Sequence, residues 1–435
     1  MKRDLLTKIF QAAVDRAHPR LCLPPHLPAP PAAGRLLIFA AGKAAGAMAE
    51  AAEAFYLDGH GFDRISGIAV ARHGYGRRLR KIEMIEAGHP VPDAQGIAAT
   101  ERTLELARHA TADDIALVLM SGGASANWIA PATGISLDDK RELTRALLKS
   151  GANIVEMNCV RKHLSRIKGG RLAAALAPAR VITLAISDVP GDDPSVIGSG
   201  PTVPDATTLT DARGILAKYE ISPPASIART LDDPASESPK PGDAAFANTS
   251  LAIVAKPAAS LDAAAEVARA AGYEPILLGA DLEGEAREVA AEHARLALEQ
   301  QREGRKAAIL SGGELTVTIS GKGRGGPNQE YALALAIALN GAAGIVALAG
   351  DTDGTDGGGG SAEDAAGAYA DETTLARARS RGLDPAGFLR ENNSSAFFEP
   401  LGDLLTPGPT FTNVNDLRAI LVDIAEPEQA KQHHP

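Results

Sequence analysis

The chain has 435 residues, 45% hydrophobic and 4% aromatic, with 44 Lys+Arg against 54 Asp+Glu and a formal charge of −10. That length exceeds one hydrophobic core and predicts two domains. The acidic balance argues against nucleic acid or an anionic membrane as the main partner, but not against local cationic clusters that hold small anions.

The N-terminal stretch MKRDLLTKIFQAAVDRA is charged throughout and predicts an amphipathic helix, not a signal peptide. A proline-rich connector, LCLPPHLPAPPAAG, follows. RLLIFAAGKAAGAMAEAAEAF then reads as a strand, a tight turn at Gly42-Lys43 and an alanine-rich helix. Lys43 thereby falls near a helix N-terminus at the carboxyl end of a strand, the edge where open α/β sheets bind ligands. RISGIAVA predicts a second strand, and the next apolar run ends in EAGHPVPD, with His89 in a loop where it either touches substrate or caps a turn.

The stretch 115–170 carries the densest signal. Ile115–Met120 is an apolar strand that empties into Ser121, Gly122, Gly123 and Ser125. Glycines there let the backbone approach an anion, and successive N–H groups form a nest around it. Further on, Arg161, Ser165 and Lys168 recur at helical spacing and are expected on one helical face, until Gly169-Gly170 interrupts it. A backbone cradle followed by a cationic face suits a small anionic substrate or a phosphate. VITLAIS is the next strand, and Asp188 at its end is placed to bind Mg²⁺ or to act as a base. Residues 221–247 are rich in Pro, Ser and Asp and mark the expected domain boundary.

The second half resumes with strand–helix–strand over 250–279 and a charged helix over 282–303. KAAILS and the alternating ELTVTIS predict strands; GKGRGG then forms a glycine loop, and Asn328-Gln329-Glu330 opens a helix. Ser311-Gly312-Gly313 echoes Ser121-Gly122-Gly123, either as a partner loop or as an unrelated turn. GKGRGG also matches G-x-G-x-x-G, with Asp351 downstream, which is a dinucleotide fingerprint if a buried strand precedes it. The P-loop pattern is absent, because Gly321-Lys322 is followed by glycine. DTDGTDG suggests a calcium loop but has Ala362 where the glutamate belongs, leaving an acidic loop suited to Mg²⁺, ribose or phosphate. Cys22 and Cys159 give neither a disulfide framework nor zinc spacing, which fits a reducing compartment, and no apolar run approaches the roughly 18 residues of a membrane span. A cytoplasmic protein is expected.

AAGKAAGAMA, EAGHPVPD, MSGGAS, NCVRKHLSRIKGG, ISDVPGDDP, GSGPT, SGGELTVTISGKGRGGPNQE, AGDTDGTDG and FTNVNDL, in this order over nearly the whole chain, resemble the glycerate 2-kinases of the MOFRL family. The resemblance implies an α/β protein with two domains. Residues 1–240 would form a larger three-layer α/β/α Rossmann-like domain, and 241–430 a smaller α/β domain with a mixed sheet. It places the active site in the interdomain cleft and implies transfer of the ATP γ-phosphoryl to the 2-hydroxyl of D-glycerate, with Mg²⁺. A homodimer is compatible with it. Lys43 matches the family's catalytic lysine. Two positions depart from the family pattern: Pro327 stands where an arginine is frequent, and Ala124 where a third glycine is.

Within that frame Lys43, Arg324, Asp188 and Asp351 are the catalytic candidates, with Asp188 and Asp351 also the metal ligands. Ser121, Gly122, Gly123, Ser125, Arg161, Lys168 and His89 are expected on the substrate. Gly321, Gly323, Gly325, Asn328, Gln329, Glu330, Thr352, Asp353, Gly354 and Asp356 are expected on the nucleotide. The alternative is an NAD(P)H-dependent hydroxypyruvate or tartronate-semialdehyde reductase, resting on the glycine fingerprint and an older family name.

Overall fold

The computed structural model describes residues 2–357, 361 and 363–424; Ala362 and the end of the expected second domain, 425–430, lie outside them. The chain divides into two compact units, one of Ala17–Lys256 with Phe411–Asn413, the other of the residues up to Arg16, Pro257–Thr410 and Val414 onward.

The first unit is built on a six-stranded parallel sheet. Its strands are β1 (Leu36–Ala41), β2 (Ile65–Arg72), β3 (Ile82–Ala87), β4 (Ile115–Met120), β5 (Arg180–Ile186) and β6 (Thr249–Ala255), in the order β3-β2-β1-β4-β5-β6. Every residue of β1 and β4 is buried, which is why both read as continuous apolar runs: a parallel sheet covered on both faces has no solvent side to record as alternation. On one face Leu37, Phe39 and Val118 pack with Ala99, Leu104 and Leu172. The strand order reverses direction between β1 and β4, and a ligand crevice forms at the carboxyl ends of strands at such a point. A helical subcluster packs beside the sheet, joining Leu143 and Leu147 to Val160, Leu216 and Ile227.

The second unit has a mixed sheet, as expected. Its strands are β7 (Glu274–Leu277), β8 (Ala307–Ser311), β9 (Ile345–Asp351), β10 (Gly367–Ala370), β11 (Leu404–Leu405) and β12 (Asp416–Val422), ordered β11-β10-β9-β12-β8-β7. Only β7–β8 is parallel. Alternate residues of the central strands face opposite cores. Leu310, Leu348 and Ala419 meet one set of helices, while Ile309, Ala347 and Ile420 meet helices Ala286–Arg302 and Pro327–Leu339.

Four expectations need correction. The N-terminal residues do not belong with the first unit: Leu6, Ile9, Phe10, Ala13 and Val14 form a stripe at helical spacing that packs on Leu310, Leu348 and Leu417 of the second sheet. The domain boundary falls at Lys256, not 240, because Thr249–Ala255 adds a sixth strand to the first sheet. The Pro/Ser-rich stretch before it is folded in: Ser238 is buried and its hydroxyl donates to Asp205 (3.0 Å). Finally, ELTVTIS is not a strand. Gly313 turns the chain out of β8 with φ +87°, and Thr316 makes only an isolated bridge to Glu285.

Candidate active site

In the first unit the strand ends collect the candidates that lie far apart in sequence. Lys43 follows β1, His89 follows β3, Ser121–Ser125 follows β4 and Asp188 follows β5, all at the same edge of a parallel sheet. The loops after β1 and β4, which flank the reversal, are tied together. The Lys43 amide donates to the Gly122 carbonyl (2.8 Å) and the Ala44 amide to Ser121 Oγ (2.9 Å). Ser121 is thus a buried fastener of the loop.

Two glycines are there for space. A Cβ on Gly122 would stand 1.8 Å from Asp188 Oδ2 and 2.2 Å from Asn413 Nδ2; on Gly123, at φ +83°, it would stand 2.8 Å from His89 Nε2. These contacts place Asp188, Asn413 and His89 around the loop, with the Lys43 stem alongside. Asn413 donates to Asp188 Oδ2 (2.7 Å) and so orients the carboxylate.

Beside this loop lies a cluster of cations, Lys168 and Lys140 buried and Arg161 half-buried. Arg161 Nη2 donates to Ser125 Oγ (2.7 Å), and Lys168 Nζ donates to the Ser125 carbonyl (2.7 Å) and also contacts its Oγ. Arg161 leans on Asn158 Oδ1 (3.5 Å), and Ser199 Oγ lies 3.0 Å from Ser125 Oγ. Among the described residues neither Arg161 nor Lys168 pairs with a carboxylate. Burial pushes Lys168 well below the ordinary lysine value, helped by the Arg161 and Lys140 charges. Burial also lowers Arg161, and brings Lys140 down to about 7. A site that gathers cations and withholds counter-charge is built to receive an anion.

The expected helical face carrying these groups does not exist. The helix Ile154–His163, opened by a capping box between Asn153 and Glu156, ends before Ser165, and Lys168 lies in the turn beyond. Arg161 and Lys168 meet through Ser125 instead. Asn158, Ser199 and Asn413 complete the site and were not singled out as candidates; the motifs NCVRKHL, GSGPT and FTNVNDL carried the signal.

The second unit holds the other candidates, in two different conditions. Gly321, Gly323, Arg324 and Gly325 line a cavity of about 700 Å³ together with Leu315, Val317 and Ile319. Arg324 is exposed and pairs only loosely with Glu399 (3.7 Å). Asn328, Gln329, Thr352, Asp353 and Asp356, by contrast, are buried and bonded within their own unit, with Asn328 Oδ1 left without a hydrogen-bond partner among the described residues. Asp356 accepts the amides of Asn328 (3.0 Å) and Gln329 (2.8 Å), and Asn328 Nδ2 also reaches Asp416 (2.7 Å). Burial pushes Asp356 up to about 7, with Asp416 adding to the rise. Glu330 is held by Arg287 (2.6 Å) and Asn392 (3.0 Å). Thr352 Oγ1 bonds the Asn415 carbonyl (2.6 Å), and Asp353 Oδ1 accepts the Thr355 amide (2.8 Å). Gly354 takes the turn at φ +98°. Asp351 ends β9 and caps the Asp353 amide (2.9 Å). These side chains fix the frame around the glycine loop and do not line the cavity, Glu330 and Asn392 excepted. The Ser311-Gly312-Gly313 loop is filled from within its own unit: Arg418 donates to Ser311 Oγ (2.9 Å) and to the Gly313 carbonyl (3.1 Å).

No helix among the described residues is long and apolar enough to cross a membrane. Residues 5–232 match a domain of unknown function, DUF4147, and residues 307–416 match the MOFRL family. The chain is 48% identical to a putative hydroxypyruvate reductase of Agrobacterium vitis, over 97% of this chain and 94% of that protein. It is 40% identical to the D-glycerate 2-kinase of Thermotoga maritima, over 88% of this chain and 89% of that one. The crystal structure of a Thermotoga maritima glycerate kinase superposes with a TM-score of 0.85 at 38% identity, covering 96% of this chain and 99% of that one. The chain belongs to the glycerate kinase family built from a DUF4147 and a MOFRL domain.

Proposed function

We propose that the protein transfers the γ-phosphoryl of ATP to the 2-hydroxyl of D-glycerate, giving 2-phosphoglycerate and ADP. The observation that carries this reading is the pair Arg161 and Lys168 on Ser125, one half-buried and one buried cation without a carboxylate partner among the described residues, beside the loop that holds Lys43. A glycerate carboxylate supplies the missing counter-charge, and the Arg161 guanidinium can hold it in a fixed geometry. The Lys43 ammonium then faces the charge that spreads over the transferring phosphoryl, and the Gly122-Gly123 backbone approaches its oxygens.

As the acceptor oxygen bonds to phosphorus, the bond from phosphorus to the ADP oxygen breaks, and the hydroxyl proton leaves to a carboxylate. Asp188, oriented by Asn413, is assigned that proton or a share of the metal. Among the described residues no three His, Cys, Asp or Glu side chains gather to hold a metal. Mg²⁺ itself takes only one or two protein carboxylates and completes its shell with phosphate oxygens and water. Asp188 in the first unit and Asp351 in the second are separate candidate carboxylates for it, and when bound it would neutralise the phosphate charge. The nucleotide is assigned to the second unit's cavity, where Leu315, Val317 and Ile319 offer an apolar face to a base and the loop of Gly321, Gly323 and Gly325 lies open beside Arg324.

The reductase reading loses its motif. A dinucleotide fingerprint requires a buried strand feeding the glycine turn, and residues 314–320 form none. The test is ATP-dependent product formation from D-glycerate with Mg²⁺, wild type beside Lys43→Ala, with phosphoglycerate isomers resolved by NMR. 2-Phosphoglycerate that disappears in the variant supports the proposal. NADH oxidation with hydroxypyruvate, and no phosphoryl transfer, overturns it.

A further inference from the structure

The first unit has a second concentration of positive charge away from Lys43 and Asp188. A cavity of about 610 Å³ is lined by Arg108, Arg166, Arg171 and Arg229, against a single carboxylate, Asp233. The four arginines come from separate stretches: the end of helix Ala94–Arg108, the segment after helix Ile154–His163, the start of helix Arg171–Leu176, and helix Ala225–Asp232. In a chain of net charge −10 such a gathering is not the average surface.

Two of the four are occupied. Arg166 pairs with Glu101 (2.9 Å), and Arg171 donates to the carbonyls of Ser236 (2.7 Å) and Glu237 (3.0 Å). Arg108 and Arg229 make no hydrogen bond or ion pair among the described residues, and both are exposed. Asp233 is turned to its own loop, accepting the Ala235 amide (3.0 Å). Two held, half-buried arginines and two exposed ones, with the Glu101 charge near Arg108, form a receptacle for an anion of more than one charge. Guanidinium groups match phosphate oxygens in geometry as well as charge.

The receptacle also shares a segment with the Ser125 cluster. His163, Ser165 and Arg166 line it, while Arg161 and Lys168, on either side of them in sequence, hold Ser125. Ser165 Oγ accepts the amides of both Ile167 and Lys168 (3.3 Å each), so the wall of the cavity and the position of Lys168 are one hydrogen-bonded turn.

We infer that this cavity is a second anion site, taking a small phosphate ester or comparable polyanion, whose occupancy is transmitted through Ser165 to Lys168. The binding half of the inference stands by itself; the transmission half rests on Lys168 holding substrate. The test is calorimetric titration of the full-length protein with pyrophosphate, without nucleotide. The variants are the exposed double substitution Arg108→Gln/Arg229→Gln and, separately, Lys43→Ala, with melting temperatures confirming the fold. Saturable binding in wild type and Lys43→Ala, weakened about tenfold or more by the double substitution, is the expected result. No saturation by about 10 mM, equal binding in all three, or loss confined to Lys43→Ala would overturn the site. For transmission, pyrophosphate should shift the KM for D-glycerate in wild type and not in the double variant; an equal shift or none in both removes that half. Absence of glycerate kinase activity leaves the titration intact, and so separates failure of the proposed reaction from failure of the site.

Discussion

Lys168→Met is expected to make a more stable and much poorer enzyme. Lys168 is 1% exposed, its neighbours are Arg161 and Lys140, and of its three ammonium donors two go to Ser125. Methionine keeps the length and removes the charge, so the desolvation cost disappears; replacing buried ionised groups by apolar ones of similar volume is worth from about 0 to 4 kcal/mol. The third donor is the one available to a substrate carboxylate, and a hydrogen bond to a charged group contributes about 1.5–3 kcal/mol. Its loss lowers kcat/KM for D-glycerate by roughly 10- to 150-fold, mainly through KM.

The pH dependence gives an independent sign. The folded Lys168 value lies below the 10.5 of an unfolded lysine. Between the two, the unfolded chain carries a proton that the native chain does not, so stability is lost as pH falls through that window. Chemical denaturation at alkaline pH, approaching 10.5 from below, should show this slope in wild type and a flatter one in Lys168→Met, and steady-state assays supply the KM. A variant that is clearly less stable than wild type, with unchanged kcat/KM, would refute the reasoning, since it would make Lys168 a structural tie and not a withheld charge.

Gly122→Ala drives a methyl toward Asp188 and Asn413, and displacement of a catalytic group by about 1 Å can cost on the order of 100-fold in rate; steady-state kinetics beside a thermal melt should show kcat/KM falling out of proportion to Tm. Asn413→Ala removes the donor that orients Asp188, so kcat/KM is expected to drop about tenfold, as for other groups that orient a ligand or base. Asp356, raised to about 7, contributes stability that is full below the unfolded value of 3.8 and is lost as pH climbs through 7; Asp356→Asn should flatten that part of a Tm-against-pH curve. Phe10→Ala, at a side chain 2% exposed, is expected to destabilise the second unit by about 3–5 kcal/mol, read by denaturant titration.

The strands at the heart of the first sheet were legible because β1, β4 and β5 are buried along nearly their whole length and leave long apolar runs. The groups that gather at their ends were legible for the same reason, since a parallel sheet puts all its carboxyl ends at one edge. Geometry beyond the strands was not. Helical spacing joined Arg161 to Lys168 on paper, whereas a turn and a shared serine join them in the molecule. The motif Asn328-Gln329-Glu330 reads as ligand chemistry because its side chains are polar. Most of those polar atoms bond Asp356, Asp416, Arg287, Asn392 and Ser395, which no local pattern reveals. The N-terminal helix shows the complementary limit. Its apolar stripe was visible, but a stripe does not name its partner.

That partner has a consequence for synthesis of the chain. Leu6, Ile9 and Phe10 leave the ribosome about 400 residues before Leu417 and Leu421, which belong to the surface they cover. At about 5–20 residues per second the first helix waits on the order of 20–80 s with its apolar face uncovered. In that interval Ala17–Lys256 emerges whole and holds its entire sheet, so it can fold as a unit while the older segment is still waiting. The charged residues that made this segment unlike a signal peptide, among them Lys2, Arg3, Asp4 and Lys8, also keep it in water until its partner exists.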